Sequence, residues 1–100
     1  MKKVNVNRGL LSFHCPGCGW DHDLNISPER PRPRWEFNGD LEKPTLKPSI
    51  NATVEYPAHR GGLQRCHSFV TDGRIQFLAD CTHDLAGFTV DLPRWTSGSE

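Results

Sequence analysis

The chain has 100 residues, enough for one domain whose small core leaves only a few kcal/mol of stability from packing. Its 12 basic and 12 acidic residues cancel to a formal net charge of +0, which excludes a global attraction to nucleic acid and confines any such binding to a local patch. No stretch approaches the roughly 20 apolar residues of a membrane-spanning helix, and a composition 35% hydrophobic and 24% charged suits a soluble globular domain.

Met1, Lys2 and Lys3 resemble the start of a signal peptide, but residues 4–9 (VNVNRG) supply no apolar stretch after them, so the expected compartment is the cytoplasm. There the four cysteines are expected to be metal ligands or catalysts rather than disulfides. Leu11, Phe13 and Cys15 alternate with polar neighbours into the turn FHCPGCGW, and Trp20, His22, Leu24 and Ile26 alternate out of it. Both runs read as strands. Between them, residues 15–19 (CPGCG) place two cysteines where both thiolates can reach one ion, and the glycines let the turn aim backbone N–H groups at the sulfurs. A redox dithiol would need a helix directly after Cys15, which Gly17, Gly19 and the following strand deny. The motif is therefore read as half of a tetrahedral zinc site. His14, His22 and His59 have weaker claims as ligands and read as solvated side chains.

Residues 29–35 (ERPRPRW) gather Arg30, Arg32 and Arg34 beside Trp35 and Phe37. Such a tract can hold phosphate and stack a base, but with zero net charge it reads as an extended loop whose Trp35 plugs the core. Asp40 and Glu42 come next, read as a turn and capping pair that could also supply a general base. Residues 45–56 show the clearest period: Leu46, Pro48, Ile50, Ala52, Val54 and Tyr56 alternate with polar residues, which predicts a strand with one face buried. Pro48 cannot donate to a ladder and marks an edge or a bulge.

Residues 65–80 (RCHSFVTDGRIQFLAD) read as a hairpin turning at Thr71, Asp72 and Gly73. With a three-residue loop, His67, Phe69, Ile75, Phe77, Ala79 and Cys81 share one face, and Ser68, Val70, Arg74, Gln76 and Leu78 the other; a two-residue loop slips that register. Residues 80–87 (DCTHDLAG) are the single helical signal, opened by Asp80 and closed by Gly87. After them comes a short strand ending at Pro93.

The hairpin brings Cys66 and His67 near Cys81 and His83. Adjacent strand residues point to opposite faces, so Cys66 and His67 are not expected to bind one ion together. The expected zinc ligands are Cys15, Cys18, His67 and Cys81, with Cys66, His83 and Glu42 in reserve as alternative ligands or as groups that bond to the ligands.

With these residues in view, the sequence resembles a small phage and prophage family of unknown function. The resemblance rests on CPGC at residues 15–18, NGDLEKPTLKPSI at 38–50, RCHSFVTDGRIQFLADCTH at 65–83 and LAGFTVDLPRW at 85–95. Members are often labelled ammonia monooxygenase, a label that a small, thiolate-rich chain without a membrane span does not support. Distant relatives sit beside bacterial ubiquitin-like conjugation genes and are regarded as metal-dependent hydrolases with a Cys, Glu, His, His set. In this chain Cys15, Glu42, His67 and His83 could play that part.

The expected fold is all-β with at most one short helix: a small antiparallel sheet or sandwich with a zinc knuckle, residues 1–95 forming the zinc-stapled domain and 96–100 a flexible tail. The expected function is a phage-type accessory protein whose Zn2+ staple supports a surface that binds a host or phage protein. The alternatives are a zinc-dependent, peptidase-like hydrolase, with Glu42 or Asp40 as the base acting on metal-bound water, and a single-stranded nucleic-acid binder.

Overall fold

The computed structural model describes residues 1–96, and these form two antiparallel sheets. The first contains β1 (Asn5–Asn7), β2 (Leu10–His14) and β3 (Asp21–Asn25) in sequence order. The second contains β4 (Glu36–Phe37), β5 (Leu46–Glu55), β6 (Leu63–Thr71), β7 (Arg74–Phe77) and β8 (Thr89–Asp91), again in sequence order. Every pairing joins neighbours along the chain, so turn chemistry alone sets much of the topology.

The two sheets share one core. Val4, Leu11, Phe13 and Leu24 come from the first sheet and the segment before it, while Leu46, Ile50, Val70, Ile75 and Phe77 come from the second. Period-2 patterning puts these residues on one face of each strand, as the sequence predicts for Leu11 and Phe13, for His22 and Leu24, and for Leu46 and Ile50. Trp35 packs against the core and its indole Nε1–H donates to the Ser49 carbonyl at 3.3 Å. Pro48 lies in the register shift between Leu46 and Ile50, where β5 leaves the regular ladder.

The β6–β7 hairpin departs from the expected register. Thr71 pairs with Arg74, leaving a two-residue loop of Asp72 (φ 50°) and Gly73 (φ 78°). Both central residues have positive φ, as a type I′ turn requires, and this turn matches the right-handed twist of the strands. The one-residue slip moves His67 and Phe69 to the open face and puts Cys66, Ser68 and Val70 on the buried face with Ile75 and Phe77.

Residues 80–87 make turns rather than a helix, with Ala86 N–H bonded to His83 C=O; Gly87 has the expected left-handed conformation (φ 83°). The helical element among the described residues is a single 3-10 turn, Ala58–Arg60. At the C-terminal end, Trp95 N–H donates to Lys2 C=O, its ring stacks on His14 at 4.3 Å, and Thr96 bonds to the same imidazole. The remainder of the expected tail, residues 97–100, lies outside the described residues.

Gly73 anchors the hairpin to the rest of the fold: its N–H donates to Pro44 C=O, and its C=O accepts from Leu92 N–H and Lys3 Nζ. A Cβ there would sit 3.1 Å from Glu42 O and 3.2 Å from Lys43 Cα. Gly73→Ala is expected to cost about 1–3 kcal/mol, from left-handed backbone strain plus the close approach. Equilibrium denaturation should show a lowered midpoint with an unchanged slope.

Candidate functional site

Cys15 lies directly after β2, and the turn of residues 15–20 is closed by Cys15 N–H to Trp20 C=O and Gly19 N–H to Cys15 C=O, both at 3.0 Å. β3 then runs back, and its first buried residue is His22, paired with Phe13 and packed against its ring at 5.1 Å. Cys66 reaches the same place from the buried face of β6, in the other sheet. The ligand atoms of Cys15, Cys18, His22 and Cys66 all lie within 4.8 Å of one another, with Cys15 Sγ to Cys66 Sγ at 3.6 Å and Cys18 Sγ to His22 Nε2 at 3.4 Å.

Proton sharing at this cluster is strained by charge. Hydrogen bonding from Cys15, then from Cys66, draws the Cys18 thiol far below its ordinary range. Bonding to Cys15 and Cys18 pushes the Cys66 thiol up instead. Burial disfavours protonation of His22, but Cys15 and Cys18 outweigh it and raise the imidazole to about 9. A thiolate at Cys18 facing an imidazolium at His22 therefore leaves the Cys66 thiol protonated. A divalent cation removes that conflict, since three thiolates and a neutral imidazole are a tetrahedral donor set. The four residues are positioned to hold a metal ion.

Gly17 is required by proximity. A Cβ at this position would lie 2.3 Å from His83 Cε1 and 2.8 Å from Phe77 Cζ. His83 stands edge-on to Phe77 at 4.5 Å, and its Nδ1 accepts from Leu85 N–H. Its Nε2 is buried against the cysteine turn without a hydrogen-bond partner among the described residues.

The structure brings together the first two of the expected ligands, Cys15 and Cys18, but completes the group with Cys66 and His22 in place of His67 and Cys81. The hairpin register is the reason: it turns Cys66 inward and His67 outward. Cys81 Sγ is engaged with the main chain of His67, accepting from its N–H at 3.2 Å and donating to its C=O at 3.1 Å. Glu42 is exposed and paired with the N-terminal amine, and Asp40 caps the turn at Glu42 and Lys43. His22, expected to be a solvated side chain, is instead buried, because it lies on the inward side of the alternation with Leu24; its place four residues after Cys18, on the strand leaving the turn, is the signal that marks it as a candidate ligand.

His67 belongs to a second constellation on the open face of the five-stranded sheet. Its Nδ1 faces both carboxylate oxygens of Asp80, at 3.1 and 3.2 Å, and its Nε2 faces Ser49 Oγ at 3.2 Å. Ser49 sits on β5 beside the bulge, His67 on β6 opposite Asn51, and Asp80 in the turn after β7. The main chain of His67 is clamped on its β7 side by Leu78 N–H and Cys81 Sγ, which fixes the ring's base. The His67 bond, with smaller help from Arg65, holds the Asp80 carboxyl below its ordinary 3.8. A hydroxyl, an imidazole and a carboxylate in one hydrogen-bonded line form the arrangement of an activated nucleophile, its base and the group that orients the base. Ser49 carries no local sequence signal, since the line exists only once three strands pair in register.

The family model described as "bacterial ubiquitination-like system serine protease (BubE)" matches residues 2–78. That span includes Cys15, Cys18, His22, Ser49, Cys66 and His67, and stops two residues before Asp80. No curated protein and no solved structure matches the chain. With more than three quarters of its length matched, the chain belongs to the BubE family.

Proposed function

We propose that this protein is a serine hydrolase acting on peptide or isopeptide bonds in a bacterial ubiquitination-like system, with Ser49 as nucleophile, His67 as base and Asp80 as its orienting carboxylate. The observation that carries this reading is the continuous line from Ser49 Oγ through His67 to Asp80. The family's name supports it independently. Ser49 Oγ attacks the substrate carbonyl carbon as its proton passes to His67 Nε2. The tetrahedral adduct collapses, the C–N bond breaks, and His67 returns the proton to the leaving amine. Water, deprotonated by the same imidazole, then hydrolyses the Ser49 ester, releasing the carboxylic acid and restoring the hydroxyl. The protein partner expected from the sequence is, on this reading, the substrate.

The metal is proposed to be zinc, which three thiolates and an imidazole suit. Cys15, Cys18, His22 and Cys66 would hold it, tying the two sheets together through Cys66 and His22, and a set of four protein ligands would suit a structural rather than a catalytic ion. A zinc-hydrolase reading based on Glu42 or Asp40 has no support in their positions at exposed turns.

Three variants test the array. Ser49→Ala and His67→Ala should each lower kcat by about 10^4 or more, and Asp80→Asn by about 10^3 to 10^4 with binding retained. A fluorophosphonate probe should label Ser49 in the parent chain and not in Ser49→Ala; labelling elsewhere, or none, would sink the assignment. The depressed Asp80 contributes stability above its ordinary value of 3.8, and this is lost as the pH falls through its lower folded value. Asp80→Asn should therefore flatten the acid limb of the stability profile.

Metal analysis should find about one zinc per chain in the parent and in Cys81→Ser, and little in Cys66→Ser or His22→Ala. Chelation should lower the thermal midpoint by about 10 °C or more. Zinc retained by Cys66→Ser but lost from Cys81→Ser would refute the ligand set.

A further inference from the structure

The edge of β5 beyond Ser49, whose own carbonyl accepts from the Trp35 indole, is open. β4 covers only Leu46 and Lys47, and beyond them β5 is paired on its β6 side alone. The direction of the main-chain groups is set by their partners. In an antiparallel ladder, residues opposite each other in a non-hydrogen-bonded pair point their N–H and C=O groups away from each other. Asn51 is opposite His67, whose N–H and C=O go to Cys81 Sγ and Leu78 N–H on the β7 side. Thr53 is opposite Arg65, whose N–H and C=O both go to Thr82. The N–H and C=O groups of Asn51 and Thr53 therefore point outward, away from β6, on exposed residues that no other strand of the described chain reaches.

Two further features flank this edge. Ala52 and Val54 project to the opposite face, where they line a cleft of about 600 Å3 with Tyr56 and Trp20; Val54 is 51% exposed and Trp20 67% exposed. At the end where β4 begins, Arg32, Arg34 and Lys47 surround a smaller cleft of about 330 Å3 with Pro48, immediately before Ser49. Glu36 is its single carboxylate, and none of the three cations has an ion-pair partner among the described residues.

We propose that the open edge of β5 is the substrate-binding element: an extended peptide adds there as an antiparallel strand, paired to Asn51 and Thr53, and an acidic side chain just past the cleaved bond docks at Arg32, Arg34 and Lys47. This rests on Ser49 being the nucleophile. An antiparallel strand on this edge runs toward Ser49 in its N-to-C direction, and Asn51 lies two residues, about 7 Å, from Ser49. β4 occupies the edge from Lys47 to Leu46, so the peptide must leave the sheet at Ser49, where the basic cleft receives its next residues. Alternate side chains of the added strand enter the Ala52 and Val54 cleft, which gives those exposed apolar surfaces a partner.

Capped decapeptide pools, randomised around a single aspartate or its asparagine counterpart, test this with cleavage sites mapped by mass spectrometry. The aspartate pool should be cut about tenfold faster, just before the acidic residue, and Arg32→Ala/Arg34→Ala should erase the preference without changing fluorophosphonate labelling of Ser49. Thr53→Pro removes an outward N–H without breaking a bond to β6 and should lower peptide kcat/KM about tenfold while labelling is unchanged. N-methylation of the peptide's alternate amides should do the same without altering the protein. Fluorescence anisotropy with Ser49→Ala reads docking without turnover. Binding that tolerates both Thr53→Pro and N-methylation would overturn the edge proposal even if Ser49 labels, whereas failed labelling with intact, acid-dependent binding would instead remove the nucleophile. Salt-sensitive capture of an oligo(dT) probe with no aspartate preference would assign the arginines to nucleic acid and overturn the acidic subsite.

Discussion

The two-residue turn at Asp72 and Gly73 decides what the molecule can do. Because side chains alternate along a strand, this register sends Cys66 to the buried face and His67 to the open one. Cys66 meets Cys15, Cys18 and His22 between the sheets, and His67 meets Ser49 and Asp80 outside. A loop longer by one residue would exchange the two side chains and dismantle both constellations at once. The glycine is held there by constraints beyond the turn, since its main chain ties the hairpin to Pro44, Leu92 and Lys3.

The two constellations are thus linked through a single peptide bond, that between Cys66 and His67. On the proposed reading the metal does no chemistry, yet it fixes one neighbour of the catalytic base. Cys81 and Leu78 hold the main chain of His67 from the other side. A base must keep its distance to a nucleophile within a few tenths of an ångström, and in a domain of 100 residues packing alone is a weak guarantee of that. A metal held by Cys15, Cys18, His22 and Cys66 would cross-link the sheets behind His67 and supply rigidity where the core is thin.

Local chemistry was readable from the sequence, and pairwise geometry was not. The alternation at Leu46 and Ile50, the strands flanking the cysteine turn, the bulge at Pro48 and the pairing of Cys15 with Cys18 are all written in residues close together in the chain. The all-β architecture emerged from them. The ligand set depended on a turn one residue shorter than the expected loop, and that slip is decided by whether Asp72 takes positive φ, a choice its type permits without dictating. Helix signals at Asp80 and Gly87 were overridden because Arg65 and His67 draw the main chain of residues 78–82 back to β6. Ser49 was invisible for a different reason: a nucleophilic serine looks like any serine on the polar face of a strand until its base is placed.

The open stretch of β5 sharpens this contrast between local and tertiary information. Natural sheets seldom leave a flat edge unprotected, because unpaired N–H and C=O groups recruit other strands. β5 is ten residues long, and its neighbour β4 stops after pairing with two of them. A longer β4 would cap the liability at no visible cost to the core, to which Trp35 and Phe37 already contribute. Instead the β4 pairing stops at Lys47, and the Trp35 indole takes the carbonyl of Ser49, the residue whose hydroxyl faces His67. An edge kept open up to Ser49, and closed beyond it, is what the proposed hydrolase would require to read its substrate as a strand.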